Sequence, residues 1–587
     1  MRLAMLAFGI IISFGSLYGA AQEKVYTHSF KGVAKNLDPA AVESYYSSVI
    51  ATSLYDTLYS YKYLARPVEV KPNLAVALPE ISKDGLQYTI KLKKGVRFID
   101  DQAFKGGKGR EVVAEDFAYS IKRHMDPKTR SVAPGEYDGI KGLREWKKTL
   151  DYNKPVEGLQ VLDSHTIRIV LDKPDHRFLY KLTGITAGVV PREAVEKYGR
   201  EFAHHPVGSG YFKLVSLDST QAVLEKNPDY RKETFDLKGE GFDPKAHGAF
   251  GLEALNGRTL PMLDKLVVKF MKQSSSRWNS FTKGNEIQYA TIPPDQAGQL
   301  LATIDPPTLK PELAEKYVFK PEREIGLVFS NFNFSDPNIG HNDDPVRNER
   351  NRKLRCAIRS AFDWNSQIKR FYYGLGEAYA GAISPDLPGY QKLDQESVTV
   401  NIKKAKQLLK DGGWNKKNLP VLSYGATSSV QLRQYFEQFR GFMKKIGYPR
   451  NKIKLKLAPT FSDFIKALND GKYSYFGLGW VPSIPDPNQL MERYYGKKLP
   501  PGSNKAFYQN PEFDKLFDQA ELMADGPERS AVFKKMNEIL IHDCVGIESF
   551  SRQTLHVWHK DVLMDYTDII VRNKFKYIDL AQPKHSH

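Results

Sequence analysis

Between Leu86 and Lys93 apolar and polar residues alternate strictly. Leu86, Tyr88, Ile90 and Leu92 fall on one side, and Gln87, Thr89, Lys91 and Lys93 on the other. A period of two predicts a half-buried strand, entered here from the turn Asp84-Gly85. His165 to Leu171 reads as another strand. Tyr211 to Leu217 and Gln221 to Glu225 read as a hairpin around Asp218-Ser219-Thr220, and Leu263 to Phe270 as a further strand. Phe332 and Phe334 alternate with Asn331 and Asn333, which predicts a strand with one polar face.

Elsewhere the period changes to that of a helix. Leu432, Tyr435, Phe436, Phe439, Phe442, Met443 and Ile446 share one face, and Gly447 ends the run. Ala405, Leu408 and Leu409 form a shorter face closed by Gly412-Gly413, and Ala531 to Ile541 gives a third helix. Strands and helices interleave along the whole chain, which predicts an α/β architecture in more than one lobe. No repeat of 20–50 residues is visible. Lys232 to Arg258 and Asp336 to Arg352 are polar, rich in turn formers and the most linker-like.

One strand ends unusually. Tyr473 to Leu478 is apolar, and "GWVPSIPDP" follows from Gly479 to Pro487. Prolines stop helix and sheet alike, and a Trp is costly to leave in water. The segment predicts a rigid loop that holds the Trp480 ring in a fixed place.

With 587 residues the chain is too long for one core, and two or three domains are expected. The net charge of +18 is dispersed rather than gathered into a stripe, which argues against nucleic acid as partner. Thirty-two Tyr and 32 Phe residues give an aromatic-rich chain suited to cores and binding surfaces. Arg2, the apolar run Leu3 to Leu17, and Gly19 and Ala21 at small-residue positions predict an export signal (residues 1–21) cleaved after Ala21. The run is short for a membrane span, and no other segment offers the length. Neither cysteine, Cys356 or Cys544, stands at the cleavage site, so no lipid anchor is expected. Export makes a disulfide between them possible, and two buried free thiols fit equally well.

Catalytic signatures are missing. There is no His-Glu-x-x-His pair. Val207-Gly208-Ser209-Gly210 carries Val where a nucleophile elbow needs Gly, and reads as a tight turn before a strand. Gly106-Gly107-Lys108-Gly109 lacks phosphate-loop spacing, and His341-Asn342-Asp343-Asp344 lacks calcium-loop spacing. His204-His205 and His585-Ser586-His587 read as solvated. The balance favours binding over catalysis, with no metal and no cofactor expected. A secreted hydrolase is the remaining enzymatic reading.

Several stretches, in order, resemble the periplasmic solute-binding proteins of oligopeptide and dipeptide ABC importers, the bacterial extracellular solute-binding family 5. They are "NLDPA" (36–40), "LYDTL" (54–58), "DGLQYTIKLKKGVRF" (84–98), "VVAEDFAYSIKRHMDP" (112–127), "VGSGYFKL" with "LEKNPDY" (207–230), "RKLRCAIRSAFDWNSQIKRFYYGLGEAYAG" (352–381), the Trp480 loop, and "NPEFDKLFDQA" (510–520). They cover nearly the whole mature chain.

The resemblance implies an α/β, two-lobe hinged protein of the type II periplasmic binding class with an additional small α+β domain. Lobe I would comprise 22–63, 179–320 and 546–587, the extra domain 64–178, and lobe II 321–545, with hinge strands near 320 and 545. It implies a periplasmic monomer that closes on a peptide and delivers it to an inner-membrane permease. By position, Trp480 would face ligand, with Gly479 and Val481 offering main-chain groups and Phe461 a second aromatic. Asp56 and Thr57 match the lobe I loop that contacts ligand main chain. Tyr137, Thr291 and Arg323 correspond to softer contacts, the last placed to meet a carboxylate. The chain departs from the pattern at Ser483, where peptide-binding relatives place an aspartate against the ligand's α-ammonium. Asp486 or Asp56 would have to replace it. Otherwise the ligand lacks a free amino terminus, as a glycan fragment, opine-like compound, metal chelate or haem does.

Overall fold

The computed structural model describes residues 23–283, 286–565 and 571–581, so the expected export signal and the terminal histidines lie outside the described residues. Two large cores organise the chain. The first gathers residues from Tyr26 to Tyr289 and from Trp558 to Ile578. The second gathers residues from Leu327 to Phe550. The two halves of the molecule built on them are called lobes below.

Lobe I holds a four-stranded sheet in the order Val25–Phe30, Lys265–Phe270, Gln221–Lys226, Phe212–Leu217. The last two strands are the predicted hairpin. Its turn is set by Asp218, whose carboxylate accepts from the Thr220 and Gln221 backbone N–H groups. A second four-stranded sheet joins Glu80–Ile81, Gln87–Lys91, Thr166–Val170 and Leu159–Asp163. Along Gln87–Lys91, Tyr88 and Ile90 point inward as the alternation predicts. The apolar residues of this sheet join the same continuous core as Tyr26 and Leu266.

The largest sheet runs in the order Tyr289–Thr291, Gly546–His559, Leu327–Phe332, Tyr475–Trp480, Leu422–Thr427, Ile453–Ala458. Its 14-residue strand Gly546–His559 belongs to both lobes. The first part pairs with Leu327–Phe332 and the later part with Tyr317–Arg323, from Gln553 opposite Arg323 to His559 opposite Tyr317. A continuous strand shared by two cores has the form of a hinge. In lobe II, Leu422–Thr427 runs parallel to Ile453–Ala458 and to Tyr475–Trp480, so their carboxyl ends share one edge. The predicted helices are Val430–Lys445, Ile402–Asp411 and Pro527–Asp543.

Some expectations need correction. Asn331 and Asn333 do not form a polar face; both are buried. Asn333 donates to the carbonyls of Gly471 and Tyr473, and Asn331 accepts from the Tyr494 hydroxyl, so each is satisfied internally. The strand before the proline loop includes Trp480. Residues 232–258 are not a free linker, because Phe235, Leu237, Phe250, Leu252 and Leu255 enter the first core. Residues 345–352 open the helix Pro345–Ala361, capped by Asp344. Cys356 and Cys544 form a disulfide, with Cα atoms 5.3 Å apart.

Candidate functional site

A polar cavity of about 270 Å³ lies between the lobes. Lobe I supplies most of its wall, including Thr52, Tyr55, Asp56, Thr57, Ser60, Tyr61, Glu136, Thr186 and Arg572, and lobe II supplies Ser483 and Ile484. The backbone at 54–57 is fixed by close packing. A Cβ on Gly208 would lie 2.1 Å from the Leu54 carbonyl oxygen, and one on Gly210 2.4 Å from the Leu54 carbonyl carbon. Only glycines let this turn approach, which is the physical reason for Gly-Ser-Gly here. Ser209, between them, is buried and donates to Asp56 Oδ2 at 2.9 Å.

Asp56 is therefore a structural anion. Its carboxylate also accepts from Arg231 at 2.7 Å and from Asn73 Nδ2 at 3.1 Å, and its own carbonyl takes the Val189 N–H. The Thr57 hydroxyl donates to the Tyr59 carbonyl at 2.6 Å. Both residues line the cavity, with side-chain hydrogen bonds already made inside the protein. Lys576, also on the wall, pairs with Glu233 at 2.9 Å. Burial alone would raise the Glu233 carboxyl, and the charges of Lys576 and Arg231 outweigh it, holding the group well below the usual carboxylate range.

The loop after Trp480 is placed differently from expectation. Ser483 reaches the cavity, and its hydroxyl and N–H engage the Gln489 side chain. Asp486 does not; it is buried and holds Arg529 through two hydrogen bonds of 3.0 and 3.1 Å. An ion pair that completes itself inside lobe II offers nothing to a ligand ammonium. The half-buried Trp480 ring packs against the second core and lines neither this cavity nor the aromatic one, and Val481 is exposed outside both. Tyr137 is buried one layer behind the wall, with its hydroxyl 3.2 Å from that of the wall residue Thr186.

A second cavity, of about 350 Å³, opens within lobe II where the parallel strands end. Trp364, Tyr372, Tyr424, Tyr435, Phe439 and Tyr475 line it, together with Phe461 and Gly479 from the expected set. Among the described residues no charged side chain lies on its wall. Ser429, also on the wall, caps the helix Val430–Lys445 by accepting from the Leu432 N–H at 3.1 Å. Phe461, at the start of the helix Phe461–Asn469, is 63% exposed. The Trp364 indole N–H is buried and has no acceptor among the described residues. The chemistry of this wall is apolar contact and ring stacking, with uncharged polar side chains such as Gln367, Thr427 and Gln431 among the rings.

Thr291 and Arg323 lie on neither cavity. Thr291 pairs with His556 in the hinge strand. Arg323 borders a third cavity, of about 570 Å³, beside the hinge. Its guanidinium is taken by Asp386, at 2.7 and 3.1 Å, and by Glu377. Both carboxylates hold the guanidinium at the wall of this cavity.

The model of the bacterial extracellular solute-binding proteins, family 5, matches residues 69–499. The chain belongs to this family. Among curated relatives, the dipeptide-binding protein of Escherichia coli (strain K12) is 24% identical over 554 residues, covering 92% of this chain and 91% of that protein. Heme-binding protein A of Haemophilus influenzae is 25% identical over 501 residues, covering 84% and 80%. Among solved structures, the periplasmic binding protein DppA from Helicobacter pylori in complex with the peptide STSA aligns at a TM-score of 0.65 with 24% identity, covering 95% of this chain and 98% of that one. The fold is that of the type II periplasmic binding proteins.

For a family 5 protein, two features of the site escaped sequence reading. Glu136 was passed over for its neighbour Tyr137, because adjacent residues in a tight turn point apart: the Glu136 N–H donates to the Ala133 carbonyl, and the two side chains diverge. Arg572 comes from the far end of the chain, and no local spacing announces it. The aromatic wall was partly visible, since Tyr435 and Phe439 sit on the helical face singled out as core.

Proposed function

We propose that this protein is the substrate-binding component of an ABC importer, which captures peptides between its lobes and passes them unaltered to a membrane permease. The observation that carries this reading is the polar cavity with walls from both lobes. A ligand there touches lobe I and the Ser483 loop together only when the lobes are closed, so binding favours the closed form by its differential affinity. The aromatic cavity at the strand ends of lobe II adds room for an apolar side chain. The export signal cleaved after Ala21 and a monomeric state in the periplasm belong to the same proposal, as does the division into lobe I (22–63, 179–320, 546–587), extra domain (64–178) and lobe II (321–545). Among the described residues no helix is long and apolar enough to cross a membrane.

Titration calorimetry with a library of di- to pentapeptides tests it, with X-ray scattering on the binders. Micromolar or tighter binding and a smaller radius of gyration are expected. Heat from no member of the library, or recovery of any bound peptide in fragments, overturns the reading. A second reading keeps the transport role with a non-peptide ligand, and the uncharged aromatic cavity favours it. Native mass spectrometry of protein purified without denaturation separates the two by the mass of retained cargo.

A further inference from the structure

Resting on the peptide reading, the question left by Ser483 is which group balances a peptide's α-ammonium. The two carboxylates nearest in expectation are both committed: Asp56 to Arg231 and Asp486 to Arg529. Glu136 differs. It lines the polar cavity beside Thr186, and among the described residues it has no ion-pair partner. The other charged groups facing it are Arg572 and Lys181, which act on it through space; Arg572 itself bonds to the Ser48 hydroxyl. Asp56 and Lys576, on the same wall, are neutralised by Arg231 and Glu233. Arg572, on the same wall, likewise has no ion-pair partner among the described residues, so the Glu136 charge is offset only through space and its carboxylate is left to contact a ligand cation.

We infer that Glu136 receives the free α-ammonium of the bound peptide, so that the charge recognising the amino terminus comes from the stretch 64–178, proposed above as the extra domain, and not from the loop that carries Ser483. Ser483, neutral and held by Gln489, closes over this end from lobe II. The turn at 133–136 and the buried Tyr137 behind Thr186 hold the carboxylate in place. Burial raises the Glu136 carboxyl, against the lowering effect of Thr186, Lys181 and Arg572. Acidification therefore protonates it and weakens the contact.

Affinity-selection mass spectrometry tests this, with an equimolar tripeptide pool offered in free and in N-acetylated form to wild type and to Glu136→Gln. Wild type is expected to retain free peptides at least about ten-fold over their acetylated forms, which corresponds to ~1.4 kcal/mol. Glu136→Gln is expected to lose that preference while retaining acetylated peptides as wild type does, which also shows that the variant is folded. An undiminished preference in Glu136→Gln, or no preference in wild type, overturns the inference. Capture of neither pool by wild type is a separate result: it overturns the peptide reading, and this inference with it.

Discussion

Arg177 donates to Glu521 at 2.8 Å, joining the two lobes at a point separate from the hinge strand. Beside it the Tyr180 hydroxyl donates to Asp525 at 3.1 Å. Asp525 in turn pairs with Arg529, which holds Asp486 in the loop that bears Ser483. The two lobes thus share polar cross-links away from the hinge strand. Part-buried pairs of this kind contribute about 0.5–1 kcal/mol each and weaken with salt. The double variant Glu521→Gln, Asp525→Asn is expected to enlarge the unliganded radius of gyration and to weaken peptide binding about two- to ten-fold. Scattering at low and high salt checks it, and identical profiles for variant and wild type at low salt count against any such role.

Asp56 illustrates a change of role between sequence and structure. Because its carboxylate balances the buried Arg231, removing it leaves a charge unpaired in the interior. Breaking a buried pair in this way costs about 3–5 kcal/mol. Asp56→Ala is expected to lower the unfolding midpoint of lobe I sharply, with or without ligand present. Differential scanning calorimetry checks this; unchanged stability with weakened binding restores Asp56 to direct ligand contact.

The elements themselves were legible because periodicity is local. Gln87–Lys91 and Val430–Lys445 follow from the spacing of their apolar residues alone. Of the residues carried over by resemblance, Asp56, Thr57 and Ser483 line the polar cavity and Gly479 the aromatic one. What sequence did not disclose was which charges were already spent. Arg231 lies 175 residues from Asp56, and Arg529 lies 43 from Asp486. Such pairings are made by tertiary packing and leave no spacing to read. Trp480 shows the same limit: a Trp that ends a strand has two faces on offer, and only packing sets its ring half-buried against the second core.

The disulfide ties the helix Pro345–Ala361 to the end of the helix Pro527–Asp543, one residue before the chain turns toward the hinge strand. It closes a loop of 188 residues that spans nearly all of lobe II. Loop closure on that scale stabilises the folded state by roughly 3–5 kcal/mol. Cys356→Ser with Cys544→Ser is expected to lower the thermal midpoint of lobe II while leaving that of lobe I in place. Calorimetry that shows both transitions falling together contradicts a lobe-confined effect.

Phe461 is exposed at the rim of the aromatic cavity and carries little of the fold. Covering an apolar ring with ligand contributes about 1.5–3 kcal/mol. Phe461→Ala is expected to weaken binding of peptides with an aromatic side chain about ten-fold, to leave all-alanine peptides within about two-fold, and to leave the melting temperature unchanged. Calorimetry with matched Phe- and Ala-containing peptides makes the comparison. Equal losses for both peptides place the aromatic group outside this cavity.

His124 links acidity to the wall of the polar cavity. It is buried, its Nε2–H donates to the Thr186 carbonyl at 2.7 Å, and its Nδ1 lies 2.7 Å from the Ser131 hydroxyl. A carbonyl can only accept, so the neutral ring with the proton on Nε2 satisfies both partners. Burial pushes the imidazole down to about 4, with Arg123 adding to the effect and the Thr186 bond opposing it. The unfolded chain takes up this proton near pH 6.5, where the folded one does not. Between those values the unfolded state binds more protons, so stability falls as pH falls from about 6.5 to about 4, by about 3 kcal/mol in all. Other groups titrate in the same range, so the expected outcome is a difference: the denaturation midpoint of wild type drops more steeply over this window than that of His124→Gln, which keeps a donor for Thr186 and has no proton to gain. Parallel slopes for the two proteins, or a His124 ring that titrates near 6.5 by NMR, contradict the account.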